Sequence, residues 1–292
     1  RLVGYQYLQC PIKNDFKSEN YVKQKFKKSF KKIIIIKSRN NFEFENRIRN
    51  LSLLQSKLIN QSQYLWFMND KDRILTKKNN PIKMILRKNI NGLTMNVHSL
   101  KKPYVLKRKN HKPSLFNLEK GVHKIGLISS QILSKRLFLK YSKQTKLSAY
   151  YLSEIILKII IYEKKWFFYP QKVIGYTHLN KDKNRDKLNI KYLNYRLEQE
   201  FNFYIFTLDK ILSKSQYTNK DKIIHKAFFK NVISWLIFLK EKENKINFSK
   251  KIIRFHNKIV DYKIIKILLL FTIYLPNNLI IIIKNIKKIF NK

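Results

Sequence analysis

From Lys23 to Arg39 the chain reads KQKFKKSFKKIIIIKSR, with eight cations (Lys23, Lys25, Lys27, Lys28, Lys31, Lys32, Lys37 and Arg39) and no acid. Phe26, Phe30 and four consecutive isoleucines are set among them. No core formed in water holds such charges together unless something anionic neutralises them. A polyphosphate backbone does so well, because each Lys or Arg that meets a phosphate releases condensed counterions. This run constrains the fold before any periodicity is considered. It is an arm that needs an anionic partner.

The imbalance recurs along all 292 residues, with 63 Lys and Arg against 18 Asp and Glu and a formal net charge of +45. A free compact monomer of that charge repels itself, and soluble surfaces usually intersperse both signs. Nucleic acid is the expected counter-charge, ahead of an anionic membrane surface. The chain is still no disordered tail: 44% hydrophobic and 14% aromatic residues are enough to bury a core. It has five glycines, where average usage of about 7% would give about twenty. That scarcity argues against turn-dense all-β folds and glycine-rich nucleotide cradles. The expected fold is mainly α, a helical body with one β-hairpin and extended basic arms.

Along the chain, residues 1–41 read as a basic N-terminal arm, in which Pro11 ends any helix begun before it. The opening RLVGYQYLQC has no sustained apolar run of the signal-peptide kind. In 42–112, Phe44, Ile48, Leu51, Leu54, Leu58 and Leu65 recur at helical steps and predict a helix ending near Asn69, with Trp66 and Phe67 as anchors. Asn91-Gly92 then separates two β-prone runs, Ile82 to Lys88 and Leu93 to His98, and predicts a hairpin with a type I′ turn. KKPYVLKRKNHKP follows, framed by Pro103 and Pro113. Its cations (Lys101, Lys102, Lys107, Arg108, Lys109 and Lys112), with Tyr104 interleaved, suit an extended ribbon threaded between phosphates.

From Ser114, a candidate N-cap, the chain reads as helical almost to its end. In 113–177, one apolar face starts at Leu115, Leu118 and Val122, and another follows Gly126 with Ile128, Ile132 and Leu133. A helix capped by Ser148 turns Leu152, Ile155, Ile156 and Ile159 inward and runs through Trp166 to stop at Pro170. Residues 178–189 form a polar linker. In 190–292, Ile190, Leu193, Leu197, Phe201, Tyr204, Leu208 and Ile211 mark a long amphipathic helix. Thr218 and Asp221 resemble a capping box opening its partner, whose Ile224, Phe228, Val232, Trp235 and Leu239 face the first helix. IIKILLLFTIYL, from Ile264, is too short to span a bilayer, which needs about twenty apolar residues; buried core helices are expected for 264–290.

The motifs of catalysis are missing. Gly121 and Gly126 have P-loop spacing, but Leu127 and Ile128 stand where Lys and Ser or Thr are needed. Cys10 is a lone cysteine, and the histidines (His98, His111, His123, His178, His225 and His256) are scattered, without H-E-x-x-H, and read as RNA-facing or core-edge side chains. Asp70 with Asp72, and Glu241 with Glu243, lie among lysines and arginine and read as local ion pairs. No enzyme, cofactor, metal site or small-molecule substrate is expected.

The Lys-, Asn- and Ile-rich vocabulary, the arms KFKKSFKKIIIIK and KKPYVLKRKNHKP, and the aromatic-studded helices resemble ribosomal proteins encoded in AT-rich organelle genomes. The resemblance implies a mitochondrial (or plastid) ribosomal constituent, whose partners are rRNA and neighbouring ribosomal proteins. Lys23, Lys25, Phe26, Lys27, Lys28, Phe30, Lys31, Lys32, Arg39, Lys101, Lys102, Tyr104, Lys107, Arg108, Lys109 and Lys112 are the candidate RNA contacts, cations on phosphates and aromatics on unpaired bases. A subunit of an organellar membrane complex or translocon, anchored through 264–290, is the alternative. An RNA-processing factor would need a catalytic motif that the chain lacks.

Overall fold

The structure is a computed structural model and describes residues 5–11, 32–38, 63–67, 72–75, 81, 85, 89–99, 112–146, 148, 150–176 and 190–274. In the arm, β1 (Tyr5–Pro11) and β2 (Lys32–Ser38) pair in parallel, Tyr5 opposite Lys32 and Pro11 opposite Ser38. The isoleucine run thus lies in a strand, as β-branched side chains favour.

A six-stranded mixed sheet is built from β3 (Tyr64–Trp66), β4 (Arg73–Ile74), β5 (Gly92–Ser99), β6 (Ser114–Leu115), β7 (Gln131–Ser134) and β8 (Trp166–Tyr176). Its order is β3-β7-β5-β8-β4, with β6 also on β8. The central strand β5 runs antiparallel to β7 and parallel to β8. The expected single hairpin is therefore corrected to a larger sheet. Ile85 is helical, the left-handed residue is Asn89 (φ 43°), and no glycine has positive φ among the described residues. Gly92 serves close packing instead, since a Cβ there would lie 2.1 Å from Cζ3 of Trp166.

Other expectations change for the same reason. Tyr64 to Trp66 is strand, because Leu65 turns into the main core while Tyr64 and Trp66 pack on the opposite side of the sheet. Ser114 lies in β6, and the N-cap is Asn117, whose side chain accepts from the Lys120 amide. Ile132 and Leu133 are strand residues that point to opposite sides, one into each core. Trp166 to Tyr169 continue into β8, which passes through Pro170 at a bulge where the register with β5 shifts. A bulge tolerates the missing N–H of proline, and Asn96 donates its side-chain amide to the Pro170 carbonyl at 3.2 Å.

The helices are α1 (Leu118–Gly121), α2 (Lys135–Ser142), α3 (Tyr151–Tyr162), α4 (Ile190–Phe201), α5 (Leu208–Lys214), α6 (Lys220–Ala227), α7 (Ile233–Lys242), α8 (Lys245–Lys258) and α9 (Lys263–Tyr274). Leu152, Ile155, Ile156 and Ile159 are buried on α3 as expected. A π-helical turn, Asn202–Thr207, joins α4 to α5, and another, Phe228–Val232, joins α6 to α7. The result is the expected helical hairpin, with Leu193, Leu197, Phe201, Tyr204, Leu208 and Ile211 buried, whereas Ile190, the first residue of the expected stripe, is exposed at the start of α4. Each π turn adds a residue per turn and widens the apolar face locally. Phe203 and Ile205 are buried beside Tyr204 for that reason. The hairpin turn ends on Asn219 in left-handed conformation (φ 65°), so the expected Thr218–Asp221 capping box is not the start of α6. Phe255 of α8 stacks on Phe201, ring centres 4.1 Å apart, and binds the third helix to the pair.

On α9, Ile265, Leu269 and Ile273 are buried, but Ile267 (64%), Phe271 (47%) and Tyr274 (77%) are exposed. The helix is half-buried, where a fully buried one was expected. Among the described residues no helix is long and apolar enough to cross a membrane. The rest of the predicted 44–69 helix, most of the basic ribbon, the polar linker and 275–292 lie outside the described residues.

Candidate nucleic-acid interface

Of the predicted contacts, Lys32 opens β2 and Lys112 is exposed just before β6; the others lie outside the described residues. The ribbon that Lys112 ends leads directly into β6, where Ser114 pairs with Phe168 of β8. The ammonium group of Lys124 lies over the Phe168 ring, 4.1 Å from its centre. The end of the ribbon therefore leads toward a cationic cluster in the folded body.

That cluster has two sides. Lys222, Lys226 and Lys230 recur every four residues along α6 and the following π turn, one stripe of like charge. Opposite them, a 3-10 turn at Val122–Lys124 packs against α6 and carries His123 and Lys124. Like charges four apart on a helix repel. Among the described residues only Lys222 of this group finds a direct counter-charge, Glu119 of α1 at 2.7 Å. That hydrogen bond, reinforced by Lys226 and Lys120, holds the Glu119 carboxyl below its usual range. Among the described residues no carboxylate pairs with Lys124, Lys226 or Lys230, and each is only partly exposed. Burial depresses the Lys124 ammonium. Burial, then the neighbouring Lys226, depresses Lys230. The His123 ring is pushed down to about 4, first by burial and then by Lys124, Lys230 and Lys226. His123 is therefore a neutral ring among cations at neutral pH, and its buried Nδ1 has no hydrogen-bond partner among the described residues.

A buried polar chain fixes the turn. Trp166 Nε1 donates to Thr94 Oγ1 at 2.9 Å, and Thr94 donates to Gln131 Oε1 at 2.7 Å. Gln131 Nε2 donates to the Lys124 carbonyl at 2.8 Å. The sheet thereby sets where the Lys124 backbone stands. Buried polar groups that are satisfied in this way specify one arrangement.

The apparent P-loop glycines hold no open cradle. A Cβ on Gly121 would meet the Phe116 ring at 2.5 Å, and one on Gly126 the Tyr204 hydroxyl at 2.6 Å. Glu243 pairs with Lys251 at 3.2 Å, so this acid sits in a local ion pair. Among the described residues no group of three or more His, Cys, Asp and Glu is placed to hold a metal ion.

The lysine stripe was visible as a four-residue spacing in the sequence, whereas its meeting with His123 and Lys124 was not. The chain matches no family model and none of the curated proteins with which it was compared.

Proposed function

We propose that the protein is a structural constituent of an organellar, mitochondrial ribosome, which binds and scaffolds rRNA through basic arms and a cationic face of its body. The observation that carries this reading is an unbalanced charge of +45 on a chain that also closes extended apolar cores. A folded, cation-rich body needs a polyanion to offset its self-repulsion, and RNA phosphates supply closely spaced anions. Neighbouring ribosomal proteins are the partners for its remaining apolar surface. A detergent-solubilised organelle lysate, sedimented through sucrose with and without RNase, tests the proposal. Comigration with one ribosomal subunit, lost after RNase, is expected.

One observation favours a second reading. The exposed stripe of Ile267, Phe271 and Tyr274 on α9 suits a subunit of an organellar membrane complex that lies on the bilayer. Retention in the membrane after carbonate extraction, in an RNase-resistant complex, is the result that selects it.

A further inference from the structure

The geometry points to a phosphate clamp on the folded body, in which Lys124, Lys226 and Lys230 together hold the backbone of a single-stranded RNA segment. This inference rests on the RNA-binding reading and gives it a place outside the arms. Two unrelated segments, the 3-10 turn Val122–Lys124 and the α6 stripe, pack on each other, and Lys124, Lys226 and Lys230 all act on the His123 ring between them. The backbone of the first is tied to the sheet through Gln131. The second is held by a helix whose Ile223, Ile224 and Ala227 are fully buried. Among the described residues no carboxylate forms an ion pair with these three lysines, although Glu119 stands close enough to take Lys222. Partly dehydrated donors carried on held backbone fit a discrete phosphate, whose oxygens each accept a charge-assisted hydrogen bond.

A lipid surface would instead be met by protruding side chains free to follow mobile headgroups. Half-buried lysines, one held over the Phe168 ring, are poorly suited to that. Single-stranded RNA also offers bases for exposed side chains, and exposed Lys112 stands two residues before Ser114, which pairs with Phe168.

The test uses the full chain with Lys226→Gln and Lys230→Gln combined. A charge-matched control carries Lys250→Gln and Lys258→Gln, both at exposed positions of α8. Each loses two charges, so non-specific attraction falls equally. Binding of a single-stranded RNA oligonucleotide is measured from low to moderate salt. Each lost phosphate contact lowers the salt slope by about 0.7 and weakens binding about fivefold at 0.1 M salt. The clamp variant should therefore lose about 1.4 of slope and about 25-fold in affinity, and the control much less. Melting curves without RNA confirm folding, since removing like charges four apart relieves repulsion. A second readout is the His123 ring, followed by NMR. RNA bound at the clamp should raise its pKa from about 4, while RNA bound only at the arms leaves it in place.

Equal losses in the two variants, with an unmoved His123, overturn the clamp while leaving RNA binding intact. Absence of RNA binding by the unaltered chain overturns the wider reading as well. Loss of binding to phosphatidylserine vesicles in the clamp variant, with RNA affinity unchanged, overturns it in favour of a membrane surface.

Discussion

The Lys124 ammonium group stands 4.1 Å from the centre of the Phe168 ring, on a strand whose partner β6 begins just after Lys112 and Pro113. The ring attracts the cation, but burial still depresses the Lys124 ammonium. The charge thus costs stability in the free protein. Lys124→Met keeps the apolar stem over Phe168 and removes the charge. Its melting temperature without RNA should be higher than that of the unaltered chain at pH 7. The gain in melting temperature when RNA is added should be smaller.

His123 makes stability depend on pH. Its folded pKa of about 4 lies below the ordinary value of 6.5, so the unfolded chain takes up the proton first. This contribution is complete above about pH 6.5 and is lost as pH falls toward and through about 4. His225, also depressed by burial, acts in the same direction. His123→Asn should flatten the decline between those limits by on the order of 2 kcal/mol, discounted for partial exposure. Urea unfolding of both proteins across that range measures it. Identical pH profiles would remove His123 from the account.

Glu200 is buried on α4 and binds Arg196 at 3.0 Å and the Tyr150 hydroxyl at 2.5 Å. Arg196 also lies over the Trp235 ring, 5.2 Å away. Glu200→Ala leaves that guanidinium without its buried carboxylate, a change that costs about 3 kcal/mol. Chemical denaturation should show it, and a cycle with Tyr150→Phe should reveal coupling, because the two changes share one hydrogen bond.

Gly92→Ala places a methyl group into the Trp166 ring, at 2.1 Å from Cζ3 if nothing moves. Trp166 is held by its hydrogen bond to Thr94, so the strands must separate. A loss of about 1–3 kcal/mol is expected, typical of overpacking. An Ala that stabilised the protein would contradict the packing described for β5 and β8.

The two faces of α9 should respond differently. Leu269→Ala opens a cavity in the main core and should cost about 2–5 kcal/mol. Phe271→Ser, on the exposed face, should stay within about 0.5 kcal/mol. If the apolar stripe meets a bilayer, the second change should instead reduce membrane retention.

The sequence by itself determined the charge excess, the mainly helical character of the C-terminal half and the buried faces of its hairpin. Leu193, Leu197, Phe201, Tyr204, Leu208 and Ile211 were legible because helix periodicity is local: each residue's face follows from its neighbours at three and four steps. Only the tertiary structure decided the sheet. Ile132-Leu133 and Trp166-Phe167 are short apolar runs compatible with helix or strand, and pairing with β5 selected the strand. Asn91-Gly92 carried a local turn signal, but neither residue has positive φ, and Gly92 instead opens β5 against the distant Trp166 ring. The cationic cluster divides the same way. The spacing of Lys222, Lys226 and Lys230 lies in the sequence, but His123 and Lys124 reach it from about a hundred residues away through non-local contacts that periodicity does not encode.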